Sequence, residues 1–281
     1  MRRVSLLVFI TASLAIVGIV AYFYIATYQY CIRPQVDPTP LTECDKIANA
    51  SSDSTLQRKF YSDAERRNVE NTCKAALRQN PQSPRLQYIV WAVGGLGEDI
   101  SPLIALARSC YSPAIGRVGE NRIIATFNKR SVNRFVSALI GRSILNKGAK
   151  LGDSGSLYTL GELTYTGFTG FSKNEKKGFD LIKTAADKGN LLAMADVGRR
   201  FLFQQPSDPA SALYYFSLLA KRGDLIGGFI AYTIHKANPA LPVSDAELSQ
   251  WKEMAAQLVK QHPDMNRIIK EYHGLDIFSQ P

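Results

Sequence analysis

The sequence has little of what metal sites and nucleotide sites require. It contains only three histidines, His235, His262 and His273, and they are too scattered to form a recognisable ligand set. Neither a Cys-x-x-Cys nor a His-Glu-x-x-His spacing occurs. The glycine-rich stretch at 94–99 lacks the lysine of a phosphate-binding loop. We therefore expect neither a metal site nor a cofactor.

Two stretches that invite a catalytic interpretation lack the partners that the chemistry needs. GDSGS at 152–156 resembles the nucleophile loop of trypsin-like proteases, but no histidine lies in a strand context where it could act as the base. Hydrolysis of a glycosidic bond usually needs two carboxylates that face one bond, and Glu162 has no acidic residue one helical turn away. We therefore expect no catalytic residues and no enzyme.

A long uncharged run follows two arginines at the N-terminus. Val4–Ile25 would form a helix about 33 Å long, enough to cross a hydrocarbon core of about 30 Å. Tyrosines typical of a membrane interface end the run, and Arg2 and Arg3 predict a cytoplasmic N-terminus. We expect residues 1–28 to be a single-pass anchor of a bacterial inner membrane, with the remainder in the periplasm. The alternative is a cleaved signal peptide and a secreted protein.

Four cysteines follow the hydrophobic run: Cys31, Cys44, Cys73 and Cys110. An even number in an exported region favours disulfides. We expect a Cys44–Cys73 bond, because both residues would flank one compact helical hairpin, and closing this loop would stabilise the fold by about 3.6 kcal/mol. Cys31 would then pair with Cys110, stay free or link two chains. Four buried thiols are the alternative.

Four segments share one spacing of small residues. In each, a turn residue is followed four residues later by a small residue, and five residues after that by a position that usually holds glycine. The sets are Cys110, Ala114 and Gly119; Gly152, Ser156 and Gly161; Gly189, Ala193 and Gly198; and Gly223 and Gly227, which degenerates at Tyr232. Steps of 42, 37 and 34 residues are typical of helix-turn-helix repeats. Because strand signals are almost absent, we expect an all-α array of αα-hairpins.

Capping patterns and prolines predict the order of the parts. We expect an anchor at 1–28, a stalk at 29–43 with three prolines, a helical cap region at 44–97, repeats at 98–243 and C-terminal capping helices at 244–281. Arg117–Lys150 forms a longer unit. The first predicted helix starts at Ser62 and passes Leu77. The helices predicted after it are Pro84–Leu96, Asp153–Tyr165, Ser172–Lys188, Leu191–Gln204, Asp208–Gly223, Ser244–Gln261 and Pro263–Tyr272.

The stretches LYTLGELTYTG and KKGFDLIKTAADKGN resemble a Sel-one-like repeat, a relative of the tetratricopeptide repeat. The family has small residues, a leucine–glycine pair and an alanine pair at fixed positions of the repeat. The matching residues of the first unit are Ser156, Leu160, Gly161, Ala185, Ala186 and Gly189. Those of the next unit are Ala193, Val197, Gly198, Ala220 and Gly223. The resemblance implies hairpins that stack into a solenoid whose inner surface is a groove. It also implies a role as an adaptor, scaffold or regulator.

Two sets of residues are candidates for binding. Tyr158, Glu162 and Arg199 lie on predicted first helices beside the glycine row, and tyrosine and arginine are favoured at binding hot spots. The second set is a patch of basic residues in a stretch that contains one acidic residue, Glu120. This patch could attract anionic lipid, or an acidic protein or polymer. It consists of Arg117, Arg122, Lys129, Arg130, Arg134, Arg142, Lys147 and Lys150. For both sets the alternative is a solvated helix face.

The sequence therefore predicts a membrane-anchored, non-enzymatic protein–protein interaction module. It would act as an adaptor, scaffold or regulator of an envelope protein through the groove of its repeats, and nucleic acid is not an expected partner on that side of the membrane. One alternative is a structural subunit of a larger envelope complex. Another is an accessory of a cell-wall-active enzyme.

Overall fold

The computed structural model describes residues 31–48, 63–94, 99–124, 133–168 and 171–261. These ranges contain twelve α-helices and no strand, which confirms the predicted all-α class. The helices are α1 (Glu43–Ile47), α2 (Asp63–Gln79), α3 (Pro84–Val93), α4 (Ser101–Arg108), α5 (Ser112–Ile124), α6 (Asn133–Lys150), α7 (Ser154–Thr166), α8 (Glu175–Asp187), α9 (Leu191–Phe203), α10 (Pro209–Lys221), α11 (Leu225–Ala237) and α12 (Asp245–Gln261). No helix in the described ranges has the length and apolar character that a bilayer span needs. The predicted anchor at 1–28 and the predicted Pro263–Tyr272 helix lie outside the described residues.

The chain folds as two compact units, Met1–Asn190 and Leu191–Pro281. In the first unit α2 packs on α3, α4 on α5, and the hairpins α5–α6 and α7–α8 pack on each other. In the second unit the hairpin α9–α10 packs through α10 on the hairpin α11–α12. Each unit therefore contains two hairpins of the repeated kind.

The turn before each hairpin has the same hydrogen bonds in all four copies. The N–H of the turn residue donates to the carbonyl three residues earlier, and the next N–H donates to the carbonyl five residues earlier, which is a Schellman motif. The turn residue has a positive φ, which is +66° at Cys110, +91° at Gly152, +94° at Gly189 and +81° at Gly223. The first position of the sequence pattern is thus a left-handed helix end, and Cys110 adopts it without being glycine.

The last position of the pattern is where two helices of a hairpin approach each other. A Cβ atom on Gly161 would lie 2.6 Å from Cγ1 of Ile182 on α8, and one on Gly198 would lie 2.8 Å from the Phe216 ring on α10. Contacts this short do not occur between real side chains, so the close approach requires glycine. In the last hairpin Tyr232 holds this position, and the close approach moves one helical turn earlier, to Gly228.

In the first unit, the middle position of the pattern packs the hairpin α7–α8 onto the hairpin α5–α6. The Ser156 side chain of α7 is 1% exposed and fits against Gly116 of α5 and Gly148 of α6, where an added Cβ would collide with the Ser156 hydroxyl. That hydroxyl makes no hydrogen bond within the described residues. Small size, and not polarity, is therefore what the fold requires at Ser156.

Ser156→Ala is expected to leave the free energy of unfolding unchanged or to raise it by about 1 kcal/mol, because it removes a buried hydroxyl without a partner. Gly148→Ala, at the facing position, is expected to lower it by about 1–3 kcal/mol through overpacking. Urea denaturation followed by circular dichroism compares the two. A Ser156→Ala loss as large as that of Gly148→Ala would show that the hydroxyl itself is needed.

The described residues before α1 lie against helices of the first unit. We call Cys31–Thr42 the strap. A disulfide joins Cys31 to Cys110, one of the alternatives left by the sequence, and the N–H of Gln35 donates to the Cys110 carbonyl at 2.9 Å. Asp37 accepts hydrogen bonds from the Ser83 hydroxyl at 2.5 Å and from the N–H of Arg85 at 3.0 Å, at the start of α3. Burial would raise the pKa of Asp37, but these hydrogen bonds and one from Thr39 outweigh it and lower the pKa.

A buried ion pair joins α1 to α3. The Arg85 guanidinium lies 2.8 Å from the Asp45 carboxylate, and both side chains are less than 5% exposed. Arg85 also donates to the carbonyl of Pro40 at 2.9 Å, and Asp45 accepts from the N–H of Thr42 at 2.6 Å. Beside this pair the structure contains the expected Cys44–Cys73 disulfide.

Three predicted boundaries were wrong. Asn174, and not Ser172, caps α8, because Glu175 is the first helical residue and therefore cannot close a capping box three positions into the helix. The helix predicted for Pro84–Leu96 ends at Val93, with Gly94 as its cap. Arg117–Lys150 does not begin a unit, because α5 already begins at Ser112.

Candidate binding surface

The second unit has an open groove of about 450 Å³ between the helices of its last hairpin. We call it the α11–α12 groove. Residues of each helix that line it follow the spacing of one helical face. They are Phe229, Tyr232, Thr233 and Lys236 on α11, and Lys252, Ala255, Ala256, Val259 and Lys260 on α12. The groove is therefore a single flank of the hairpin and not a gap between scattered side chains.

The groove is open because the repeat ends there among the described residues. In a helical repeat each hairpin leaves an apolar edge that the next hairpin covers. The hairpin α9–α10 is covered in this way by α11, through residues such as Gly227, whose Cβ would meet Leu219. No helix of the described ranges follows α12, and the segment 262–281 lies outside them.

The floor of the groove is apolar and its rim is basic. Phe229 and Ala255 are buried in the floor, and Tyr232 and Val259 are half-buried. Lys236, Lys252 and Lys260 are exposed at the rim, and no aspartate or glutamate lines the groove. None of these three lysines is ion-paired with a described residue, whereas Lys221, elsewhere in the second unit, lies 3.1 Å from Glu247. The rim therefore offers positive charge to a ligand.

This combination suits an amphipathic helix with acidic residues. Two adjacent helices with one apolar flank form the kind of groove into which a third helix lays its apolar face. The volume falls within the range of about 300–1,000 Å³ that is usual for ligand pockets. Lysines at the rim would favour carboxylates beside the apolar stripe of the ligand.

The sequence-predicted contact residues do not belong to this groove. Tyr158 and Glu162 are half-buried on α7 in the first unit. Arg199 lies on α9 in the second unit, where its guanidinium is 2.5 Å from Asp196. Asp196 is itself buried and also binds Arg200, so the Arg199 side chain is engaged within its own helix. The structure does not show that these three residues form one surface.

Members of the predicted basic patch have different surroundings. Arg117 pairs with Glu120 at 2.6 Å and contacts Tyr88, a phenol whose pKa burial raises to about 12. Arg142 lies over the Phe171 ring, 4.6 Å from its centroid. Of the remaining members, Lys150 is exposed, Arg122 and Lys147 are half-buried, Arg134 lies in the first turn of α6, and Lys129 and Arg130 lie outside the described residues.

The α11–α12 groove was missed by the sequence analysis, although a signal was present. Tyr232 interrupts the glycine row, and Lys236 follows it by one helical turn. On α12 the lysines at 252 and 260 are eight residues apart and therefore share a face with Ala255, Ala256 and Val259. Within the described ranges no group of histidine, cysteine or acidic side chains could hold a metal ion.

The chain was compared with known proteins. No protein-family model matches it, and no curated protein matches its sequence. Among solved structures it is similar to a Sel1 repeat protein from Oxalobacter formigenes, with 19% identity over 69% of this chain and 80% of that one, and a TM-score of 0.46. It is also similar to the immunity protein Pa5087 from Pseudomonas aeruginosa, with 14% identity over 87% of this chain and 91% of that one, and a TM-score of 0.46. The described helices form the packed αα-hairpins that the predicted resemblance to Sel-one-like repeats implies.

Proposed function

We propose that this protein is a membrane-anchored, non-enzymatic interaction module that binds an acidic amphipathic helix of another envelope protein in the α11–α12 groove. The observation that carries the proposal is the apolar flank of the α11–α12 hairpin, with three lysines at its rim that form no ion pair with a described residue. Binding there would extend the repeat by one helix, so the ligand would use the same packing that joins one hairpin to the next.

The setting in the cell is part of the same proposal. The uncharged run Val4–Ile25 supports a single-pass anchor in a bacterial inner membrane, and Arg2 and Arg3 support a periplasmic repeat region. Two disulfides support an oxidising compartment, because such bonds persist mainly outside the cytosol. Extraction of membranes with alkaline carbonate tests the anchor, since an integral protein stays in the pellet.

Two charge-matched peptides test the groove. Each is about 14 residues long, roughly four helical turns, with leucines at i, i+3, i+4 and i+7, and carries either glutamates or lysines at its other positions. Full-length protein in phosphatidylcholine nanodiscs is expected to bind the glutamate peptide about tenfold more tightly. Three exposed charge pairs at about 0.5 kcal/mol each add up to about 1.5 kcal/mol, and about 1.4 kcal/mol is a tenfold change in affinity. Fluorescence anisotropy of labelled peptides measures both affinities.

Charge reversal provides the control. The triple variant Lys236→Glu, Lys252→Glu and Lys260→Glu is expected to prefer the lysine peptide. Reversing three exposed lysines of α8, Lys176, Lys177 and Lys183, changes the net charge equally and is expected to leave the preference unchanged. Equal binding of the two peptides would contradict the proposal. So would binding that appears only after the chain is truncated behind Gln261, because the chain itself would then fill the groove.

A further inference from the structure

The outer side of the strap is apolar. Three odd-numbered residues of the strap are bonded to the domain, whereas Arg33 between them is exposed. Cys31, Gln35 and Asp37 bond to the domain. The even-numbered residues between and after them are all apolar and exposed: Ile32, Pro34, Val36 and Pro38. We call these four residues the apolar stripe.

The apolar stripe is unusually open. Ile32 is 86% exposed and Val36 is 78% exposed, the highest values for large apolar side chains among the described residues. Neither residue can turn inward, because the inner side of the strap is fixed. The Ser109 hydroxyl donates to the Gln35 amide oxygen at 2.7 Å, and the Asp37 carboxylate is bound at the start of α3. The stripe is therefore available for contact with a surface outside the domain.

The position of the stripe in the chain identifies that surface. Only five residues separate Ile25, the end of the uncharged run, from Cys31, and they can span at most about 20 Å. Among them are Tyr28 and Tyr30, of the kind that lies at a membrane interface. Because Cys31 is bonded to Cys110, the turn between α4 and α5 is held within the same short distance of the bilayer. The proposed anchor and the domain are therefore close together in the sequence.

We propose that the strap and the Ser109–Cys110 turn rest on the outer surface of the anchoring membrane, with Ile32 and Val36 in the interfacial layer of the bilayer. Arg33 is exposed next to Ile32, and its long side chain can reach lipid phosphates at an anionic surface. This inference rests on the proposed anchor and adds to it an orientation: the first unit meets the membrane through one defined face.

A fluorescent amino acid that reports its environment tests the contact. It replaces Ile32, Val36 or Ile124 in the full-length chain, which is reconstituted in vesicles of phosphatidylcholine and phosphatidylglycerol with or without brominated acyl chains. Ile124 is the matched control, because it is also an exposed isoleucine but lies at the far end of α5, about 18 Å along the helix axis from Ser112. Brominated lipid is expected to quench the probes at 32 and 36 at least about twofold, and the probe at 124 hardly at all.

The outcomes separate this inference from the anchor. If carbonate leaves the protein in the membrane but none of the probes is quenched, or all are quenched equally, the strap contact is wrong and the anchor stands. If the probes at 32 and 36 are shielded from aqueous iodide but not quenched by brominated lipid, protein covers the stripe and the inference is also wrong. If carbonate releases the protein, the anchor itself fails and the strap contact falls with it.

Discussion

Gly178→Ala is expected to lower the free energy of unfolding by about 3 kcal/mol, at the upper end of the usual range for overpacking. A Cβ at Gly178 on α8 would lie 2.5 Å from the backbone N of Tyr165 and 2.6 Å from its Cα on α7. The obstacle is backbone and not the flexible end of a side chain, so the hairpin has to open for the methyl group to fit. Urea denaturation of the full-length protein in detergent, followed by circular dichroism, measures the loss.

A glycine of the same unit with a different role provides the control. Gly152 has a φ of +91°, and the nearest atom to an added Cβ would be Nζ of Lys188 at 3.9 Å. Gly152→Ala therefore meets backbone strain but no collision, and is expected to cost about 1–2 kcal/mol. If Gly178→Ala is no more destabilising than Gly152→Ala, the close contact between α7 and α8 does not limit the packing.

Arg85→Met is expected to lower the free energy of unfolding by about 3–5 kcal/mol, because it leaves the Asp45 carboxylate buried without its partner. The same change removes the hydrogen bond to Pro40 that fixes the end of the strap. The double variant Asp45→Asn, Arg85→Met is expected to be more stable than Arg85→Met alone, since no buried charge remains unpaired. The same denaturation experiment compares the two.

An exposed ion pair on α1, near the buried Arg85–Asp45 pair, provides the control. Lys46 lies 3.3 Å from Glu43 on α1, and both side chains are more than 60% exposed. Lys46→Met is expected to give no measurable change, because water screens such pairs. A double variant that is as unstable as Arg85→Met, or a Lys46→Met loss of similar size, would show that burial of the charges is not what makes the Arg85 site sensitive.

The repeat could be predicted because each of its positions has a local cause. A left-handed helix end favours glycine at Gly152, Gly189 and Gly223, and a close helix contact requires it at Gly161. These requirements recur with the repeat period, so they are visible without knowledge of the partner helix. Gly178 could not be assigned in this way, because its role depends on Tyr165 in another helix and it has no counterpart in the pattern.

The binding surface and the strap could not be predicted for a related reason. The α11–α12 groove depends on which flank of a hairpin stays uncovered, and that depends on how the helices of the second unit pack. The strap has the prolines of a free stalk, but Gln35, Asp37 and Pro40 find partners 45 to 75 residues along the chain. Contacts between residues so far apart in the sequence leave no periodic sequence pattern. The apolar residues at even-numbered positions of the strap do form such a pattern.

The two disulfides are nested, since the loop between Cys44 and Cys73 lies wholly inside the loop between Cys31 and Cys110. If the Cys44–Cys73 bond forms first, the chain between Cys31 and Cys110 becomes effectively shorter. Forming the Cys31–Cys110 bond then costs less conformational entropy. The outer bond forms at Cys31, just after the proposed anchor. The order in which the two bonds form would therefore affect how readily the outer loop closes.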